Sequence, residues 1–349
     1  MTLPHSQSQR SVVLGVLRRR AVQWLVVVGV LLGWRAGASA QPAARDQPPG
    51  KPVVLATVDG QPVYAGEVAA LLVAIPRSDK LPPRQRARVE AQLLEQLIDR
   101  RLVVRYLRRH DQAISQHHID AAIRDVRAKL AERKTTLAKH LARQGITEAA
   151  LRADIAWRMN WQRYTQQRIT DAVLEKYFDD HRADFDGRQV RVQHLLLQMQ
   201  DSADPTARDQ LATRAAGIRQ QIVAGRLSFD DAVRQFSQGA SKDKAGDLGF
   251  IAREGAMPEP FAAAAFRLKV GEISPPVPTT FGVHLIRCTE IKPGENGWKD
   301  VAGRLRSAVV QRGFRKIVET ERPRVAVEFT GRGAYLDPET GQLVAPQVE

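Results

Sequence analysis

Apolar and polar residues recur with different periods along the chain, and these periods predict its helices and strands. Residues 53–64 contain two short strand-like runs around an Asp59-Gly60 turn signal, which predicts a small hairpin. From Pro83 to about His181, Ala, Leu, Arg and Gln recur at helical spacing, which predicts a mainly helical region. Predicted helix breaks lie near Ser115, Gly145 and Thr170.

At Gly187 the pattern changes from helical to mixed. Residues 190–197 begin with strand-like alternation, which places Val192, His194 and Leu196 on one face. Three helices, the second and third of them short, follow with a central turn at 246–249, and then a final strand at 281–289. This order predicts a compact α+β unit of about 100 residues.

Two elements lack a local partner. A predicted strand at 324–329 follows a predicted helix at 298–320, and no further strand is predicted in the polar tail after it. The hairpin at 53–64 is equally isolated, and a lone two-stranded hairpin is marginal in water. We therefore predict that the C-terminal helix and strand pack on the N-terminal region, with the α+β unit inserted between the two halves.

Composition limits the class of protein. The chain has 349 residues, of which 43% are hydrophobic and 26% charged, so it has the usual globular composition. This excludes a wholly disordered chain, a collagen-like polymer and a many-spanning membrane protein. A single cysteine, Cys288, excludes an intramolecular disulfide framework and a cysteine-built zinc site.

The first 40 residues have the layout of a secretory signal peptide. Arg18 to Arg20 precede an apolar run at 21–34, and Ala38-Ser39-Ala40 supplies a small-residue cleavage pattern. The apolar run is shorter than the ~20 residues that a membrane span needs. We expect cleavage after Ala40, with an uncleaved anchor as the alternative, and an exported, periplasmic or extracytoplasmic protein.

The positive charge is concentrated in one helical stretch. The net charge is +15, and removal of residues 1–40 lowers it to +10. Residues 84–109 hold eight arginines among apolar residues at helical spacing. They predict a solvated helix face or a surface for acidic envelope material or acidic client chains. Export argues against nucleic acid as a partner and leaves proximity to a membrane surface open.

A histidine cluster raises the question of a metal. His110, His117 and His118 lie close in sequence, but no carboxylate or cysteine completes a convincing ligand set. We therefore expect no metal site.

An ordered set of short motifs runs through residues 188–291. Its members are His194-Leu195-Leu196, Phe236-Ser237, Gly246-Asp247-Leu248-Gly249, Met257, Pro260-Phe261, Gly271-Glu272-Ile273-Ser274 and the run from Phe281 to Ile286. In this order and spacing the set resembles the parvulin family of peptidyl-prolyl isomerases. With a signal peptide and a helical region ahead of it, the layout is similar to the SurA/PrsA type of extracytoplasmic foldase.

The resemblance implies an α+β fold with a helical chaperone-like domain and an inserted parvulin domain. It implies an exported isomerase and foldase, without a cofactor, that acts on X-Pro bonds of unfolded envelope or secreted proteins. The predicted divisions are a signal peptide at 1–40, a flexible leader at 41–52, the N-terminal domain at 53–187, the parvulin domain at 188–291, the returning helix and strand at 292–330, and a polar tail at 331–349.

The resemblance also assigns the site residues. It places Leu248, Met257 and Phe261 in the substrate-binding proline pocket. It assigns catalytic roles to His194 and His284, as paired histidines beneath the active site, and to Thr279, as their polar neighbour.

One position departs from the family pattern. The family usually has Cys or Asp two residues after the Phe/Tyr-Ser pair, and this chain has Gly239 there. Gly239 offers no polar group at this position, which would weaken or abolish the isomerase activity unless Asp243 or Ser241 substitutes. The alternative functions are a non-catalytic periplasmic holdase that binds peptides with a degenerate parvulin domain, and a helical adaptor for polysaccharide export.

Overall fold

The computed structural model describes residues 52–199, 205–255 and 257–346. These residues form two compact units: the chain up to 168 together with the chain from 310 onwards, and residues 169–309. The predicted signal peptide lies outside the described residues, as does the predicted leader except for Pro52. No helix in the described part of the chain is long and apolar enough to cross a membrane.

The elements follow one another as a mainly helical region, a mixed region and a C-terminal segment. The first region contains β1 (Val54–Val58), β2 (Gln61–Tyr64), α1 (Ala65–Val73), α2 (Pro83–Arg109), α3 (Gln116–Glu132), α4 (Leu137–Gln144) and α5 (Glu148–Arg168). The mixed region contains α6 (Asp171–Asp180), α7 (Arg182–Phe185), β3 (Gln189–Gln198), α8 (Pro205–Val223), α9 (Phe229–Phe236), β4 (Asp247–Ala252), α10 (Glu259–Ala265), β5 (Val277–Thr279) and β6 (Gly282–Lys292). The C-terminal segment contains α11 (Ala302–Glu321), β7 (Val327–Phe329), β8 (Tyr335–Leu336) and β9 (Leu343–Val344).

The C-terminal strand supplies the missing partner of the N-terminal hairpin. The first unit holds an antiparallel sheet of order β2-β1-β7, in which Ala56 pairs with Phe329 and Val58 with Val327. The buried side of β1 packs on Leu94 and Ile98 of α2. The prediction of one mainly helical domain built from both ends of the chain, with an inserted α+β domain, is confirmed.

Three helix boundaries lie close to the residues at which the sequence predicts helix breaks. Ser115 precedes α3, and the Thr170 hydroxyl accepts a hydrogen bond from the backbone of Val173 at the start of α6. Gly145 ends α4 with a left-handed φ of +63°, a conformation that glycine adopts without a steric penalty.

Most of the α2 arginines that form ion pairs contact carboxylates on other elements of the first unit. The ion pair between Arg101 and Glu67 measures 2.6 Å and is largely buried, and Arg105 bonds the fully buried Glu321 at 3.0 Å. Arg86 makes an exposed pair with Glu90, one helical turn away. The interpretation of this stretch as a solvated face therefore holds at Arg86 but fails at Arg101.

The second unit is built on an antiparallel sheet of order β4-β3-β6-β5. Helices α8 and α9 pack on one face around Leu195, Leu285 and Phe229. Helix α10 packs on the other face around Ile286 and Phe261. The sheet is thus covered on both sides, which explains why β3 is almost continuously buried from Val192 to Leu197.

The predicted turn at Gly246–Gly249 is wrong, because most of this segment belongs to strand β4. Asp247 lies opposite Gln193 of β3, and its carboxylate accepts a 2.7 Å bond from Arg191. Gly249 has a φ of +69° inside the strand, so the pair of glycines suits a distorted edge strand as well as a turn.

Candidate active site

The two central strands of the second unit bring His194 and His284 together. The register of β3 and β6 pairs His194 with Ile286 and Leu196 with His284, so the two histidines are diagonal neighbours on one face. Both are buried, with exposed fractions of 8% and 5%. Strand pairing therefore unites two residues that lie 90 positions apart in the chain.

The two imidazoles are hydrogen-bonded to each other. Nδ1 of His194 lies 3.1 Å from Nδ1 of His284, and the rings are nearly parallel. Burial lowers the pKa of His194. Burial, and then the charge of His194, lower the pKa of His284 to about 4. Both rings are therefore neutral at pH 7, and one Nδ1 donates while the other accepts.

Hydroxyl groups bond the outer nitrogens of this pair. The Thr279 hydroxyl lies 2.9 Å from Nε2 of His284 and accepts a bond from the backbone of Phe281. The Ser241 hydroxyl lies 2.8 Å from Nε2 of His194. Ser241, His194, His284 and Thr279 therefore form one hydrogen-bonded chain across the sheet.

An aromatic side chain covers the histidine pair. Phe261 is 2% exposed, and its ring meets both imidazoles edge to face, with centroids 5.9 Å from His194 and 5.2 Å from His284. Leu248 and Met257 are half-buried and pack on the same apolar cluster. All three residues assigned to the proline pocket thus lie in one cluster, on the sheet face that carries the histidines.

The loop between α9 and β4 closes over His194. The backbone N–H of His194 donates to the carbonyl of Gly246 at 2.9 Å. Gly246 has a φ of +78°, and a Cβ there would lie 2.3 Å from the carbonyl oxygen of His194. Only glycine allows this approach.

Sequence reasoning missed the arginine that holds α10. Arg253 bonds Glu259 at the start of α10 with two nitrogens, at 2.8 and 2.7 Å, and Asp184 at 2.6 Å. Its bonds to Glu259 and to Asp184 raise the pKa of the guanidinium. Since Phe261 is two residues beyond Glu259, this contact fixes the helix that carries the pocket. Arg253 lies 69 residues from Asp184 and 6 residues from Glu259, and neither spacing indicates a contact in the sequence.

Cys288 belongs to the same apolar cluster as Phe261 but adds no reactive group to it. Cys288 is buried on β6, and burial raises the pKa of its thiol, which keeps the sulfur protonated. In the described part of the chain, no group of three or more His, Cys, Asp and Glu side chains is placed to hold a metal ion.

Comparison with known proteins places this site in a family. The family described as rotamase, PPIC-type PPIase domain, matches residues 194–290. The peptidyl-prolyl cis-trans isomerase Pin1 of Malus domestica is 38% identical over 116 residues, which cover 30% of this chain and 95% of that protein.

Two larger relatives extend the similarity beyond the isomerase domain. The foldase protein PrsA of Bacillus subtilis (strain 168) is 32% identical over 145 residues, 41% of this chain and 42% of PrsA. The chaperone SurA of Alkalilimnicola ehrlichii is 26% identical over 250 residues, 67% of this chain and 56% of SurA. The chain thus spans about half the length of these two relatives.

The matched segment begins at His194 and ends beyond His284, so the family similarity coincides with the sheet that carries the buried histidine pair. The Pin1 isomerase of Malus domestica aligns over 95% of its own length with 30% of this chain. The chain therefore belongs to the parvulin family of peptidyl-prolyl cis-trans isomerases and is related to the SurA and PrsA foldases.

Proposed function

We propose that the protein is an exported peptidyl-prolyl isomerase and foldase that acts on X-Pro bonds of unfolded envelope or secreted proteins. The observation that carries the proposal is the neutral His194–His284 pair under Phe261. Rotation about an X-Pro bond crosses a barrier of ~18–20 kcal/mol and takes tens to hundreds of seconds unaided. An isomerase accelerates it by binding the twisted state better than either planar isomer.

The site has the chemical character that this task requires. Leu248, Met257 and Phe261 supply an apolar wall for the proline ring. The histidine pair offers hydrogen-bonding groups without a net charge, because burial lowers both pKa values. A neutral scaffold suits a reaction in which no covalent bond forms or breaks. The catalytic roles of His194, His284 and Thr279 stay predictions.

The rival is a holdase that binds peptides without catalysis. Gly239 favours it, because this position offers no side chain beside His194. The intact histidine pair and Phe261 favour the isomerase. The two functions differ in one measurable quantity, the rate at which a proline bond changes isomer.

A protease-coupled isomerisation assay on an Ala-X-Pro peptide separates them. We expect the native chain to accelerate isomerisation and the double variant Phe261→Ala, His284→Ala to lose the acceleration. If the native chain is no faster than the double variant, the isomerase claim fails and the holdase is favoured. Fluorescence-detected binding of the same peptide by both proteins shows whether the variant still has a pocket.

We further propose that the first unit holds unfolded clients. An open groove of about 1040 Å³ lies among α3, α4 and α5, and its lining includes the apolar side chains of Leu137, Leu141 and Ile146. An apolar groove is the kind of surface that captures exposed apolar segments of an unfolded chain. The similarity to a SurA chaperone over 67% of this chain supports the proposal.

A charge placed in the groove tests the holding function. Ala138 is exposed and lines the groove, whereas Ala128 is exposed on α3 outside it. We expect Ala138→Asp to weaken suppression of client aggregation by the full chain and Ala128→Asp to leave it intact. If the two variants suppress aggregation equally well, the groove does not hold clients.

Export is proposed from the first 40 residues. N-terminal sequencing of the mature protein is expected to begin at Gln41, after the Ala38-Ser39-Ala40 pattern. A mature protein that retains residues 1–40 would contradict cleavage and favour the anchored form.

A further inference from the structure

A small pocket in the first unit is lined by arginines from one face of α2. Its volume is about 140 Å³, and Arg101, Arg105 and Arg108 contribute to its lining. These three residues are four and three positions apart, and side chains at such spacings are neighbours on a helix surface. The pocket therefore carries a row of three guanidinium groups, and we call it the arginine pocket.

Small side chains of α5 keep the arginine pocket open. Ala149, Ala153 and Ala156 line it and leave the space beside the arginines unfilled. A water molecule occupies ~30 Å³ in the liquid, so the pocket has room for about four or five of them. That space suits a compact group such as a phosphate and is too small for a segment of polypeptide.

Carboxylates hold two of the three arginines in place. Arg101 donates from Nη2 to Glu67 at 2.6 Å, and Arg105 donates from Nε to Asp59 at 2.8 Å and from Nη1 to Glu321 at 3.0 Å. A guanidinium has five N–H donors, so both side chains keep donors that these bonds do not use. Because the two side chains are already fixed, they lose little conformational freedom when they bind a ligand.

Arg108 supplies positive charge that the protein leaves unneutralised. It is exposed and forms no ion pair with any residue that the structure describes. Arg109 and Arg324 also approach Glu321, at 3.4 and 3.7 Å. The five arginines that line the pocket or share its carboxylates thus exceed the three carboxylates, Asp59, Glu67 and Glu321, and the surroundings of the pocket favour an anion.

We propose that the arginine pocket binds a compact oxyanion of the phosphate class, either a free phosphate or the phosphate of a lipid headgroup. Guanidinium groups bond phosphate oxygens through charge-assisted hydrogen bonds in a fixed planar geometry. A phosphate offers more acceptor oxygens than a carboxylate, so three guanidinium groups are able to bond it at once. The site lies in the first unit, and the inference does not depend on the isomerase function proposed above.

Calorimetric titration of the full chain with inorganic phosphate, at low and constant ionic strength, tests the site. Arg108→Gln removes the unpaired guanidinium, and Ala149→Glu places a carboxylate at an exposed position of the lining, where it competes for the arginines. The matched control is Arg88→Gln, at an exposed arginine of α2 outside the lining. Each substitution lowers the net charge by one, so a general effect of charge would be the same in all three variants.

We expect the native chain and Arg88→Gln to bind phosphate with the same Kd. In Arg108→Gln and Ala149→Glu the Kd is expected to rise at least about tenfold, the effect of one lost charge-assisted hydrogen bond. Unfolding curves of the variants show that a loss of binding is not a loss of structure. Equal phosphate affinity in all four proteins, no phosphate binding by the native chain, or tighter binding of acetate than of phosphate would overturn the proposal.

Vesicles distinguish the two sources of the phosphate. The native chain is sedimented with vesicles that contain phosphatidylglycerol, and pure phosphatidylcholine vesicles are the control. Sedimentation that free phosphate prevents and that Arg108→Gln abolishes identifies a lipid headgroup as the ligand. Phosphate binding without sedimentation identifies a free phosphate. Sedimentation of Arg108→Gln and the native chain to the same extent would show that the vesicles bind another surface, and it would overturn the headgroup as the ligand of this pocket.

Discussion

His194 and His284 meet through the same ring nitrogen, with Nδ1 of one 3.1 Å from Nδ1 of the other. This contact needs one hydrogen between the two atoms, so protonation of both rings would place two N–H donors face to face. Burial opposes charge on either ring, and it lowers the pKa of His284 to about 4. The pair is therefore stable in its neutral form and sensitive to acid.

The first prediction is a loss of stability of the second unit in mild acid. Above pH 6.5, His284 is neutral in the folded and the unfolded chain. Between pH 6.5 and about 4, the unfolded chain binds a proton that the folded chain excludes, so stability falls with falling pH. The full effect is about 3 kcal/mol. Hydrogen exchange in β3 and β6 at pH 7.0 and pH 4.5 measures it.

The comparison uses His284→Asn, which removes the titrating ring. This variant is expected to show a smaller difference between the two pH values than the native chain. His117→Gln, at an exposed histidine of α3, is expected to behave like the native chain. Identical acid sensitivity in the native chain and His284→Asn would show that the pair does not control it.

The second prediction separates two glycines of similar backbone conformation. Gly246 and Gly249 have φ values of +78° and +69°, so alanine is strained at both, at a cost of about 1 kcal/mol or more. A Cβ at Gly246 would also meet the carbonyl oxygen of His194 at 2.3 Å, whereas one at Gly249 meets nothing within 4 Å. We expect Gly246→Ala to abolish isomerase activity and Gly249→Ala to retain most of it. Isomerisation of a proline peptide is measured for both variants, together with their unfolding curves. Equal activities would show that the close approach of Gly246 to His194 is not required for catalysis.

The third prediction concerns two buried phenylalanines on opposite faces of one sheet. Phe261 contacts the histidine pair, and Phe229 packs under the other face with Leu195. Each is almost fully buried, so Phe261→Leu and Phe229→Leu are expected to lower the unfolding free energy by similar amounts, on the order of 1–2 kcal/mol. Only Phe261→Leu is expected to raise KM for a proline peptide. A similar rise in KM in Phe229→Leu would mean that the effect follows stability rather than the pocket.

The strands that carry the site could be predicted because their pattern is local. Residues 190–197 begin with alternation, and the cap at Thr170 and the glycine at Gly145 mark helix ends, so both kinds of signal lie within a few residues. The family motifs added the identity of His194 and His284. Strand β4 could not be predicted, because its glycines favour a turn locally and its stability comes from pairing with β3, more than 50 residues earlier.

The ion pairs of the α2 arginines could not be predicted either, because they too join residues far apart in the chain. From sequence alone they resemble a charged surface, since Glu90, Glu95 and Asp99 are the only acids within the segment. Their buried partners are 34 residues away for Arg101 and 216 residues away for Arg105. Sequence spacing cannot reveal such pairs, so a charge pattern alone does not distinguish a binding surface from an internal ion-pair network.

The fourth prediction tests that network where the C-terminal segment meets α2. Arg322 bonds Glu95 at 2.9 Å and Asp99 at 3.2 Å, and the three side chains are less than one fifth exposed. Arg322→Ala removes the cation and leaves the Glu95 carboxylate largely buried, which is expected to cost about 3–5 kcal/mol. Urea unfolding followed by tryptophan fluorescence from Trp157 and Trp161, which lie in the same unit, measures the loss.

The matched control for Arg322 is Arg86→Ala, which breaks the exposed pair with Glu90. An exposed pair contributes ~0–1 kcal/mol, because water solvates both charges after the pair is broken. Isomerase activity is expected to survive in both variants under native conditions, because Arg86 and Arg322 lie in the first unit and the candidate active site lies in the second. If Arg322→Ala unfolds no more readily than Arg86→Ala, the C-terminal segment is held by its apolar contacts and its strand pairing with β1, and the buried ion pair is not required for its attachment.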